Sequence, residues 1–328
     1  MDSLLSRRLT RLLCFELGDR SFAKANRALA VHHDVDFATE TGRVHGHAAA
    51  KRLAAWAETT DAARKQFQKA LADPPTLVEM QADAGKVRTR ELTDKGWRDF
   101  KVVVFGARAT AEPATPAEYA TRQLPPPKAR FGFVKLESIA PFAARWPGFR
   151  ARLGLEATPI HVLGDGAEWL WNAVPVHLPE SEECLDIFHA SGYVADAAAA
   201  LHGAGTAAAK ARHEAGRLQL LEGGWQGACQ FVADEHAAAG PADAARVQGA
   251  CDPMLTYFSK HVGRMRYRER MAEGRAIGSG MIEGSVKTVA LRLKLRGARW
   301  KLGNVDGIAN LALLNDSTLW DSYWTTVT

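Results

Sequence analysis

Residues 162–172, VLGDGAEWLWN, decide how the rest of the chain is read. An apolar run stops on Gly164-Asp165-Gly166 and restarts at once with two tryptophans. With the preceding Pro159-Ile160-His161 the run reads as a short buried strand, so Asp165 stands at a strand tip. Two readings of that carboxylate stand side by side. Asp-Gly is a favoured turn pair. An oxygen donor at a strand end also suits a hard divalent cation.

Outward from this point the chain alternates in texture. Toward the N-terminus, TLVEMQAD (76–83), KVRTREL (86–92) and DFKVVVFGARAT (99–110) read as strands, with TDKGW as the connecting turn. PATPAEY and RQLPPPKAR are loop-like, FGFVKL is a further strand, and SIAPFAARWPGFRARLGL reads as helix interrupted at Pro147. Past the quoted stretch, ECLDIFHA reads as another strand. Strands followed by strand-helix-strand predict an α/β fold with a mixed sheet. Residues 191–275 are Ala-rich and helical, GSGMIEGSVKTVALRLKLRGARW (278–300) is a helix opening after glycines, and NVDGIANLALLND is a shorter last helix.

Residues 1–72 read as helices: LLSRRLTRLLCFEL, then SFAKANRALAV with Ser21 as N-cap, then ATETGRVHGHAAAKRLAAWAE, whose first turns Gly42 and Gly46 should weaken. Helix, short break, helix is the outline of a helix-turn-helix, and equally of a plain three-helix bundle. Pro74-Pro75 closes the region. The expected divisions are 1–72, an N-terminal helical unit; 73–190, the first part of an α/β core; 191–275, an all-α insertion; and 276–328, the C-terminal helices of the core.

Composition bounds the function classes. The 328 residues carry 42 Lys and Arg against 37 Asp and Glu, a net charge of +5. Residues 1–72 hold 12 of the bases and 8 of the acids, so most of the excess lies there. The four cysteines form no C-x-x-C pair, which argues against a zinc ribbon and a disulfide scaffold and for a reducing cytoplasm. No secretory h-region opens the chain, and no apolar run approaches the ~18 residues of a membrane span.

Three acids sit where an α/β sheet presents chemistry: Asp83 in QADAGKV, Asp165 in LGDGAEW, and Glu283 in the first turn of the helix opened by GSGMIEGSV. Each has a bland reading, since a first-turn Glu also suits the helix dipole. Together, carboxylates on two strands and a late helix can converge at one end of a sheet. Mg²⁺ prefers such oxygen ligands, and a pair of ions serves phosphodiester chemistry.

Four stretches occur in an order that carries more: VEMQADAGKVRTRELTDKGWRDFKVVVFGAR (78–108), VLGDGAEWLWN (162–172), LDIFHA (185–190) and IGSGMIEGSVKTVALRLKLRGARW (277–300). Over roughly residues 75–325 the chain resembles the ISKra group of bacterial insertion-sequence transposases, relatives of the Mutator-like enzymes. The resemblance implies an RNase H-like catalytic fold, with the helical stretch inserted between the last strand and the Glu-bearing helix. It implies a D-D-E triad of Asp83, Asp165 and Glu283 holding two Mg²⁺ or Mn²⁺ ions. It matches a C/D-x-x-H signature to Asp186-Ile187-Phe188-His189. His189 then touches a phosphate or supports a ligand, or is a core histidine at a strand end. Asp83-Ala84-Gly85 departs from the Asp-Gly of relatives.

The implied activity is DNA transposition: element ends are cleaved and the freed 3′-hydroxyl is joined to target DNA. The implied partners are the terminal inverted repeats and target DNA, with the protein acting as a homodimer or larger assembly. A catalytically silent DNA-binding regulator of the same fold is the alternative. DNA-contact candidates are Arg43 in the N-terminal helices and Lys287, Arg292, Lys294, Arg296 and Arg299 in KTVALRLKLRGARWK, which has six bases and no acid. Trp300 either stacks on a base or packs in the core.

Overall fold

The computed structural model describes residues 5–91, 96–315 and 317–326. Four helices come first: α1 (Arg7–Leu17), α2 (Phe22–His33), α3 (Thr39–Thr59) and α4 (Ala62–Leu71). Ser6 and Ser21 cap the first two, each hydroxyl accepting the backbone N–H three residues on, at 3.2 Å from Leu9 and 3.3 Å from Lys24. Gly42 and Gly46 do not weaken α3, which runs through both. A Cβ at Gly42 would fall 2.3 Å from Asn26 Oδ1, and one at Gly46 would fall 2.4 Å from Leu17 Cδ1. The missing side chains let α1 and α2 close on α3, and that packing offsets the low helix propensity of glycine.

The sheet has five strands, β1 (Thr76–Arg88), β2 (Trp97–Ala109), β3 (Ala129–Lys135), β4 (Ile160–Gly164) and β5 (Glu182–Leu185), in the order β3-β2-β1-β4-β5. β1, β2 and β3 pair antiparallel, while β4 lies parallel to both β1 and β5. The expected α/β class with a mixed sheet is therefore observed. TLVEMQAD and KVRTREL are not two strands but one. β2 pairs with β1 from Thr76↔Ala109 to Arg88↔Trp97, and a full-length partner carries the strand through Asp83-Ala84-Gly85. Thr93, Asp94 and Lys95 of the expected turn lie outside the described residues.

The remaining helices are α5 (Ile139–Ala144), α6 (Trp146–Arg152), α7 (Glu168–His177), α8 (Ile187–His202), α9 (Ala207–Gly223), α10 (Trp225–Ala239), α11 (Ala244–Ser259), α12 (Tyr267–Ala272), α13 (Gly280–Leu293), α14 (Leu302–Asn315) and α15 (Trp320–Thr326). Alternation along the strands gives the sheet two covered faces. On one, Phe105, Phe131 and Phe133 meet Phe149 of α6 with ring centroids 5.8, 5.4 and 5.0 Å away. On the other lie α13 and α14. Asn310 of α14 accepts from Val134 N–H (3.0 Å) and donates to Val134 C=O (2.8 Å). It thereby satisfies the edge strand β3 much as a sixth strand would.

One core runs through this body and includes Leu13, Leu53 and Phe67 of the N-terminal helices with Val103, Ile308 and Trp324. The first four helices are thus built onto the sheet layer. A second core joins Leu163 and Cys184 of the sheet to Val194, Leu220, Phe231 and Met254. Helices α8 to α12 fold around it, and no strand is described between residues 186 and 279. Helix α8 already starts at Ile187, before the expected boundary. Among the described residues no helix is long and apolar enough to cross a membrane.

Candidate active site

The register of the parallel strands builds the site. Gln81 of β1 lies beside Leu163 of β4, and Leu163 lies beside Cys184 of β5. Carried two residues on, past the strand ends, that register lines up Asp83, Asp165 and Asp186 at the carboxyl ends of β4 and β5, and the charges of Asp165 and Glu283 reach Asp83. The Asp186 N–H bonds Gly164 C=O at 2.7 Å and so extends the ladder to the row itself. Gln81 and Asp83 share a face. Gln81, fully buried, accepts the Ile282 N–H at 2.9 Å through Oε1. The amino end of α13, with Glu283 in its first turn, is thereby held over the acidic row.

Asp165 forms the turn that its stretch allows. Its Oδ1 accepts the Ala167 N–H at 3.0 Å, an Asx turn, while the residue stays half-buried at the strand tip. The second tryptophan fixes that tip from α7: Trp171 Nε1 donates to the Asp165 carbonyl at 2.6 Å. Trp169 packs against Phe142, centroids 6.3 Å apart. Both tryptophans therefore serve packing and positioning.

Asp186 and His189 are not at the end of a strand, as ECLDIFHA suggested. β5 stops at Leu185, Asp186 is the N-cap of α8, and His189 stands in its first turn. A strand cannot continue where a carboxylate turns back onto the next backbone amides. Oδ1 accepts from Phe188 N–H (2.6 Å) and His189 N–H (3.4 Å). Oδ2 accepts from the Ser279 N–H (2.8 Å) and the Ser279 hydroxyl. Asp186 is fully buried, so it works as a clamp between the start of α8 and the residue capping α13. Burial pushes its pKa up, but the bonds from His189, Ser279 and Phe188 outweigh it and hold the carboxyl below its ordinary value.

Electrostatics tie the group together. Burial raises the Asp83 pKa. The Ala84 N–H opposes this, Asp165 repels, His189 attracts and Glu283 repels. The Asp186 carboxylate beside the ring raises the His189 pKa against partial burial, helped by the charges of Asp165 and Glu283. Its Nδ1 lies 3.9 Å from Asp186 Oδ2, and half of its side chain is exposed.

Potential ligand atoms of Asp186, His189 and Glu283 lie within 4.8 Å of one another. Among the described residues, Asp83, Asp165 and Glu283 do not themselves form a group that close. Asp83 and Asp165 flank the tight group from the adjacent strands. The donor set fits a hard cation: Asp83, Asp165 and Glu283 are oxygen donors that repel one another, and a divalent ion between them would relieve that repulsion.

The DNA-contact candidates divide. Lys287 is exposed on α13, and Lys294, Arg296 and Arg299 are exposed beyond it. The helix expected over 278–300 ends at Leu293, and Trp300 bridges to Thr89 at the end of β1. Two candidates are buried rather than exposed. Trp300 is 7% exposed and donates through Nε1 to Leu293 C=O at 2.8 Å, so it packs and does not offer a face to a base. Arg292 is 1% exposed, and its Nε donates to Leu17 C=O at 2.5 Å. It lies on the α13 face that meets α1, because nine residues from Glu283 turn the helix half a turn out of phase. Arg43, half-buried on α3, pairs with Glu40 at 2.7 Å.

Sequence reasoning missed Gln81, Ser279 and Tyr257. A buried glutamine two residues before Asp83 carries the strand alternation and was a usable signal. Tyr257 had none: it comes from α11, lies against Gly166 and stacks on Tyr193 at 4.0 Å. Both tyrosines line a groove of about 890 Å³ beside Gly166, with Trp171, Lys260 and Arg264.

No known protein-family model matches the chain, and no curated protein matches it.

Proposed function

We propose that the protein is a metal-dependent DNA transposase with an RNase H-like catalytic core. The observation that carries this reading is the row of Asp83, Asp165 and Asp186, overhung by Glu283 and His189. The strand order β3-β2-β1-β4-β5 and the helical segment between β5 and α13 agree with the resemblance drawn from the motifs.

Asp83, Asp165 and Glu283 would hold two Mg²⁺ or Mn²⁺ ions. When bound, such ions activate the attacking oxygen and stabilise the leaving one. The chain's own residues do the positioning. The Asx turn at Asp165 engages Oδ1 and leaves Oδ2 for a ligand. Asp186 and Gln81 fix the amino end of α13 and with it Glu283. His189, kept protonated to higher pH than a free histidine, faces a phosphate oxygen. Water attacks the phosphodiester at the element end and releases a 3′-hydroxyl and a 5′-phosphate. That hydroxyl then attacks a target phosphodiester, forming one bond and displacing a target 3′-oxygen.

One observation favours a second reading, a DNA-binding regulator. The tightest group sets Glu283 within 4.8 Å of His189, whose pKa is raised, and of Asp186, whose oxygens are engaged, so the histidine can balance the carboxylates where an ion would otherwise sit. The two readings part in one experiment with DNA carrying the flanks of the reading frame. Asp165→Asn should retain binding and lose Mg²⁺- or Mn²⁺-dependent cleavage. Cutting at the wild-type rate would remove Asp165 from the chemistry, and binding without cutting by the wild type in either metal would favour the regulator.

A further inference from the structure

A second concentration of charge lies at the other end of α13. Nine residues past Glu283, about 13 Å along the helix at 1.5 Å per residue, Arg292 lines a cavity of about 290 Å³ between α2, α3 and the loop that follows α13. Arg43, His47, Arg90, Arg296 and Arg299 share that lining, and no acidic residue lines it among the described ones. A neighbouring groove of about 620 Å³ carries the basic surface onward through Lys24 and Arg27, with Arg296 common to both.

Two features separate this cavity from an ordinary basic surface. Arg292 is 1% exposed and its Nη2 has no hydrogen-bond partner among the described residues, although Nε is bound to Leu17 C=O. A buried guanidinium with an unpaired donor lacks an acceptor that a ligand oxygen can supply. His47, also in the lining, has an unpartnered buried Nδ1. Burial, together with the charges of Arg43, Arg292 and Lys51, pushes its pKa down to about 4. The cavity thus has a positive potential before any ligand arrives. Burial pushes the Arg292 pKa down to about 10; Asp19 and Glu40 temper the potential from outside, Asp19 pulling that pKa back up and Glu40 engaging Arg43. The ring of Trp300 holds the Arg292 guanidinium, 5.1 Å from the centroid, in place.

We propose that this cavity is a phosphate-binding site that seats a backbone phosphate of a nucleic-acid strand running along α13. Arg292 is its floor and Arg296 and Arg299 its rim. The strand as ligand rests on the DNA-directed reading above; the phosphate chemistry does not. A planar guanidinium fork matches phosphate oxygens, and fixed cations of this kind set the register of a strand without reading its bases.

The test uses the full chain without divalent metal, so that no cleavage intervenes. Binding of a labelled oligonucleotide, single-stranded and duplex, is measured across a series of salt concentrations. The Arg296→Ala/Arg299→Ala variant should lose about tenfold in affinity and flatten the log–log salt slope by one to two contacts' worth, about 0.7–0.9 per phosphate. The control Lys65→Ala/Lys69→Ala removes the same charge from α4 and should change neither. Rim residues are chosen because Arg292 also holds α1. Equal losses in both variants would mean bulk charge alone and would overturn the site. In parallel, melting is followed with inorganic phosphate against chloride at matched ionic strength. Phosphate protection of the wild type but not the rim variant, with oligonucleotide binding equal in both, would assign a free phosphate and overturn the strand. If no oligonucleotide binds the wild type, the DNA-directed reading fails. The phosphate site then stands on that protection, and its absence overturns it.

Discussion

Asp186→Ala should be the most destabilising single change at the site. The carboxylate caps α8 through Phe188 and His189 and holds Ser279 through two bonds. Loss of the cap costs about 1 kcal/mol. The buried Ser279 N–H, left without an acceptor, costs about 1–3 kcal/mol more. Removing a buried charge returns part of its desolvation penalty, so the net loss should be about 2 kcal/mol. Asp186→Asn keeps one oxygen for the cap but presents an amide N–H₂ toward Ser279, and should lose about half as much. The assay is urea unfolding at neutral pH, read as a lower midpoint at unchanged slope. The sign with pH follows from the depressed pKa. The stabilisation is present above the ordinary carboxylate value and disappears as pH falls through the lower native value. Wild type and Asp186→Ala should therefore converge only in acid, below about pH 4. A loss under about 0.5 kcal/mol at neutral pH would refute the clamp and with it the account of how Glu283 is positioned.

Two further outcomes follow from the same geometry. The His189 ring should titrate above its ordinary value of about 6.5 by NMR and fall back toward it in Asp186→Ala. A raised native pKa contributes stability below the unfolded value that is lost as pH rises through the native one, so His189→Ala should matter at pH 5.5 and not at pH 8.5; a midpoint at or below the ordinary value would contradict the pairing. Gly166→Ala would set a Cβ 2.1 Å from Tyr257 Cε2, and the ring is backed by Tyr193. It should cost about 1–3 kcal/mol and quench or shift the tyrosine fluorescence of the stacked pair; a neutral melt would show that the ring has room to move.

Period-two alternation, glycine and proline punctuation, and serine caps are local rules, and they were enough to place most elements. They gave the four later strand regions, the helical stretch after residue 190 and the Ser21 cap. They failed where a partner overrides local preference. Asp83-Ala84-Gly85 looked like a break but runs on because β2 pairs with it throughout. Asp186 looked like a strand end but turns the chain because its carboxylate meets its own next amides. The six-base run read as one basic helix, yet tertiary contact sorted it: Lys287, Lys294, Arg296 and Arg299 stayed in solvent, while Arg292 and Trp300 went inside.

By itself, then, the sequence determined an α/β chain with acids at two strand positions and in a late helix turn, because each of those signals is carried by residues within a few positions of one another. Only the tertiary structure decided that the first two acids share a row with Asp186, that Gln81 and Ser279 bring Glu283 over it, and that one arginine of a basic run becomes the floor of a cavity. These outcomes depend on strand register and helix docking between residues tens to hundreds apart, and no local propensity encodes such distances.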